Sequence, residues 1–90
     1  MRFEHKKFGA VEFIELKQRH VEEFLTTMQD VDKSVPLQVY NAKALRAAAD
    51  AGWFIEPKVK DIGEMSPALV RWLADRVSEV YSDAVNIDPE

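Results

Sequence analysis

Asp30, Asp32 and Ser34 stand at the spacing of the first three oxygen ligands of a helix-loop-helix calcium site. The chemistry fails further along the same stretch. The sixth loop position needs glycine for its sharp turn and is Val35, and the twelfth needs a bidentate glutamate and is Asn41. His20 and Glu23 share one face of a helix, yet a metal there would need further ligands, and the only other histidine is His5. A solvated or edge-of-core imidazole is therefore the expectation for His20. Serines 34, 66, 78 and 82 lack the context of an activated nucleophile, and glycines at 9, 52 and 63 are too isolated to form a phosphate-binding loop. The chain has no cysteine, which excludes thiolate chemistry and disulfides. Nothing places two carboxylates in one apolar cleft, the arrangement that general acid–base work requires. No catalytic residue, cofactor or metal is expected, and the chain reads as a non-enzyme.

What remains is recognition. Asp75, Glu79 and Asp83 fall at i, i+4 and i+8, an acidic stripe along one helix in which each neighbouring pair repels. Asp83 also sits toward the negative end of the helix dipole, and Asp88 and Glu90 extend the charge into the tail. Trp72 projects beside the stripe. It has two readings: a ring over the edge of the core, stacked on Arg76 four residues on, or an anchor ringed by charge at a protein-binding surface. Trp53 and Phe54 share this duality, as core residues or as partner contacts. The candidate partner-binding set is Trp72, Asp75, Glu79, Asp83, Trp53 and Phe54.

These side chains need elements to hold them, and 90 residues allow one domain with one modest core. The hydrophobic fraction of 47% and charged fraction of 31% are those of a globular chain, with no apolar run long enough to span a bilayer. Two short runs around Gly9-Ala10 predict a β-hairpin over 1–16, with a two-residue turn placing Phe8 opposite Val11 and Lys7 opposite Glu12. One long helix from Glu12 competes, because Phe13 and Ile14 project onto the face of Val21, Phe24, Leu25 and Met28; Leu16 and Lys17 break that pattern. A helix is predicted over 18–30 on that apolar stripe. A second, over 37–51, gathers Tyr40, Ala44, Leu45, Ala47, Ala48 and Ala51 on one side and stops at Gly52. Its small side chains need bulk from a partner, which Trp53, Phe54 and Ile55 can supply. Residues 57–64 read as a connector. Ser66-Pro67 then starts a helix over 66–84, with Leu69, Val70, Leu73, Ala74, Val77, Val80, Tyr81 and Ala84 on its apolar arc and 85–90 as a tail. The fold class is α+β, mostly α: an N-terminal β-hairpin followed by three helices.

Net charge is −4 but uneven: residues 1–20 carry five cations against three carboxylates, a net of +2, leaving −6 for the rest. Cations diluted in this way make a weak footprint for nucleic acid. Charges interrupt the start of the chain where a signal peptide needs an apolar run, and cysteine is absent, so the cytoplasm is the expected compartment. The stretch AlaGlyTrpPhe at 51–54, MetSerProAlaLeuValArgTrpLeuAla at 65–74, the ending ValTyrSerAspAlaValAsnIleAspProGlu at 80–90, and ValGluPheIleGluLeuLysGlnArg at 11–19 together resemble small phage and prophage tail-assembly chaperones. The resemblance implies a non-enzymatic cytoplasmic protein that engages tape-measure and tail-tube subunits during assembly, and it transfers no catalytic residue. The chain ends soon after its third helix, without the frameshifted extension that some such chaperones carry. A homo-oligomer is a further expectation, and a small regulatory or nucleic-acid-binding protein, of repressor or antitoxin type, is the alternative.

Overall fold

Gly9 sets the first reversal of the chain. Its φ of 87° lies in the left-handed region that suits glycine, and it follows a three-residue loop, Lys6–Phe8, between strands β1 (Arg2–His5) and β2 (Gly9–Phe13). The antiparallel register pairs His5 with Gly9, Phe3 with Val11 and Arg2 with Glu12. This corrects the expected turn, for glycine leaves the loop instead of opening it, so Phe8 and Lys7 belong to the loop and face neither Val11 nor Glu12. The His5 Nδ1 accepts the Lys7 N–H at 2.9 Å, satisfying one loop amide.

The computed structural model describes residues 1–56 and 59–86; Pro57 and Lys58 of the expected connector and residues 87–90 of the expected tail, Asp88 and Glu90 among them, lie outside these. Strand β2 alternates as a half-buried strand should, with Val11 and Phe13 fully buried. It is the centre of a three-stranded sheet, because β3 (Phe54–Glu56) pairs antiparallel along its other edge. The hairpin expectation holds within this larger sheet. A strand at Gly9–Phe13 also excludes one long helix from Glu12.

Helix α1 (Gln18–Gln29) begins without a Ser, Thr, Asp or Asn cap; His20 compensates, its Nδ1 accepting the Lys17 N–H at 2.9 Å. Val21 and Phe24 are buried, whereas Leu25, expected on the same stripe, is 45% exposed. The stripe is narrower than its sequence suggests, because α1 packs one flank against the next helix, α2 (Leu37–Asp50), and Leu25 lies on the flank that meets solvent.

Helix α2 (Leu37–Asp50) ends at Ala51, and Gly52 follows at φ 78°. The Gly52 N–H donates to Ala49 and the Trp53 N–H to Ala48, at 3.1 Å each, which is the paired closure of a Schellman motif. Ala44, Leu45, Ala47, Ala48 and Ala51 are buried within the chain, chiefly against α3 (Pro67–Val85). Trp53 is completely buried: its ring lies 4.7 Å from Phe24, and its indole N–H donates to the His20 carbonyl at 3.1 Å. Polar satisfaction permits so large a ring at the centre.

Between β3 and α3 a short 3-10 turn, Ile62–Glu64, buries Ile62, with Asp61 ahead of it at φ 54°. The Ser66 Oγ accepts the Leu69 N–H at 3.2 Å and Pro67 occupies the first helical position, so the expected start of α3 is observed. Val70, Leu73, Ala74, Val77 and Val80 are buried, while Ala84, expected on the same arc, is exposed. Among the described residues, no helix is long and apolar enough to cross a membrane.

Candidate protein-contact surface on the third helix

Trp72 is half-buried, and the hairpin loop is what covers it. The His5 ring meets it edge-on at 5.4 Å, Phe8 tilts against it at 6.0 Å, and the two covering rings stack on each other at 4.6 Å. The Arg76 guanidinium lies 5.8 Å from Trp72 and 5.4 Å from Phe3. One cation thus faces an aromatic of the helix and an aromatic of the sheet, which favours one seating of β1 on α3. The sequence reading of Trp72 stacked on Arg76 at the core's edge is what the geometry shows. Part of its ring still faces solvent.

Arg76 also reaches into the acidic stripe. Its Nε lies 3.2 Å from a Glu79 carboxylate oxygen, close enough for charge attraction, and is buried without a hydrogen-bond acceptor. Asp75, Glu79 and Asp83 are all exposed. Among the described residues, neither Asp75 nor Asp83 has a cation within 4 Å. The stripe keeps most of its negative potential, since a single arginine offsets one of three carboxylates.

The lower end of the stripe is a groove, not a flat face. Glu79 and Asp83 line an open depression of about 560 Å³ together with Met1, Ser82, Val85 and Asn86. Met1 is held there by β pairing, with the Phe13 N–H donating to its carbonyl at 2.8 Å. Met1 and Val85 are 49% and 47% exposed, so apolar surface lies directly beside two carboxylates.

The structure divides the candidate set. Trp72, Asp75, Glu79 and Asp83 share one surface of α3, whereas Trp53 is sealed in the core and presents nothing to a partner. Phe54 is partly buried, its ring 4.7 Å from Phe13, and serves the sheet's packing. Met1 and Val85 were missed. By sequence Val85 falls in the tail, and no periodicity places Met1 against the far end of the last helix. The basic residues of the first third are also dispersed: Lys6 and Lys7 occupy the hairpin loop, Arg2 pairs with Glu4 at 3.4 Å, and Lys17 and Arg19 lie at the start of α1. Among known proteins, no family model matches the chain, and neither a curated protein nor a solved structure matches it.

Proposed function

We propose that this chain is a non-enzymatic protein-interaction module that grips a basic, partly apolar segment of another protein along α3. The observation that carries the reading is the exposed stripe of Asp75, Glu79 and Asp83 running from the half-open Trp72 into the groove where Met1 and Val85 are bare. Apolar surface beside a net negative charge supplies both contact area and orientation for such a partner. The likeness of residues 51–54, 65–74 and 80–90 to tail-assembly chaperones names the client class: tape-measure and tail-tube proteins, held soluble in the cytoplasm before assembly.

Co-purification with those proteins tests the reading. Reversing the charges at 75, 79 and 83 together should abolish capture while a single cooperative thermal transition is retained, because all three side chains are exposed; its midpoint moves as Glu79 leaves Arg76 and the charge at 83 comes to suit the helix dipole. Trp72→Ala should weaken capture too, but it also frees the hairpin, so the charge variant decides. Capture unchanged by reversal would remove this face from the account.

The alternative, a small regulatory protein on nucleic acid, draws on Lys6 and Lys7 beside the exposed His5 at the hairpin loop. Duplex binding that weakens steeply with salt would favour it over the module.

A further inference from the structure

A second groove lies at the other end of α3, where the first turns of α2 and α3 meet. It has a volume of about 610 Å³, within the range of about 300–1,000 Å³ typical of ligand clefts. Leu37, Ala42, Met65, Pro67, Ala68 and Val70 line it together with the polar Gln38 and Asn41, and Leu37 is 66% exposed. Among the described residues, Arg71 is the only charged one along its lining, and it has no carboxylate within 4 Å.

The backbone adds to that cation. Neither α2 nor α3 carries an acidic residue in its first turn; the α3 terminus is capped by Ser66, and it is the positive end of α2 that is left uncompensated at the groove. The N-cap of α2 is Pro36, which offers no side-chain acceptor, and among the described residues the N–H groups of Leu37 and Gln38 have none on the protein. Apolar walls, one unpaired guanidinium and the uncapped N-terminus of α2 on one depression define the complement. It is an apolar segment bearing carboxylates.

We infer that this groove docks an acidic, apolar peptide segment of a partner protein, its large side chains against Leu37, Met65 and Val70 and a carboxylate toward Arg71. Its charge preference is opposite to that of the Asp75–Asp83 stripe. The site therefore stands whether or not the stripe binds a basic partner, and two different segments could be held at the two ends of one helix.

The test is selection of a random short-peptide library on the immobilised wild-type chain, with each selected peptide then titrated against variants. Ala68→Trp fills the groove from an exposed position, and Arg71→Glu reverses its charge from another. The 75/79/83 reversal serves as a control, and a retained cooperative thermal transition certifies each fold. Peptides lost on Ala68→Trp should be rich in Asp or Glu beside Leu, Ile, Met or Phe. They should bind Arg71→Glu about tenfold more weakly, the size expected for losing one close charge pair, and should tolerate the stripe reversal. Three outcomes overturn the inference: no peptide depends on Ala68, the dependent peptides are basic or indifferent to Arg71→Glu, or wild-type chain shows concentration-dependent self-association that Ala68→Trp abolishes. The last would make a second copy the occupant. Capture of the tail proteins that is unchanged by the stripe reversal, with groove-dependent peptides intact, would count against the proposed function alone.

Discussion

Two residues show how differently one side-chain type can be used. Trp53 is sealed against Phe24 with its indole N–H on the His20 carbonyl, while Trp72 is shared between helix, hairpin loop and solvent. Trp53→Phe removes the buried donor and shrinks the ring, and should cost about 1–3 kcal/mol in urea denaturation. In Trp72→Phe the remaining indole should emit at short wavelength and resist acrylamide, and easy quenching would contradict the burial of Trp53. Asp32, from the rejected calcium pattern, has a local role: its Oδ1 accepts the Ser34 backbone N–H at 2.9 Å in the turn between α1 and α2. That bond, followed by one from the Ser34 hydroxyl, holds the carboxyl below its ordinary range. A depressed folded-state pKa stabilises at pH values above the unfolded one, about 3.9, and the contribution fades as pH falls through the folded value. Asp32→Ala should therefore be slightly less stable than wild type at neutral pH, with the gap narrowing in acid. A gap that widened in acid would refute the assignment.

The elements were legible wherever local chemistry names its own boundary. Ser66-Pro67 marked the start of α3 and Gly52 the end of α2, because caps and left-handed residues are properties of a few adjacent positions. Gly52→Ala tests the second: nothing lies within 4 Å of the added methyl, so the cost is that of φ 78° alone, about 1–2 kcal/mol by thermal unfolding. No measurable loss would mean that the Schellman closure does not need glycine. Where identity depends on a distant partner, the sequence was silent or misleading. Strand β3 has three residues, too few for a period-2 pattern, and exists because β2 offers it an edge. The hairpin's existence was readable but its register was not, since Gly9 satisfies either turn and the choice moves every pairing. Leu25 follows the α1 stripe and is still exposed, because the width of a buried face is set by what packs on it.

Across the whole molecule, the acidic stripe was legible from spacing alone, but its groove was not, because Met1 and Val85 are brought together only by the complete fold. The stripe also sets stability against recognition on one helix, and Asp83 separates the two. Lysine at 83 would stand four residues after Glu79, in the favourable order for a helical ion pair, and near the C-terminal end of α3, where a cation suits the dipole. Asp83→Lys should therefore raise stability by about 0.5–1 kcal/mol, read as a higher denaturation midpoint at low salt that converges on wild type as salt screens both terms. If the stripe is only a solvated face, that gain comes without loss. If it grips a basic segment, the same substitution must weaken partner capture while strengthening the fold, since the charge that recognition uses is the charge that the helix would shed. Opposite movement of midpoint and capture is the expected result; a rise in both would show that Asp83 serves neither.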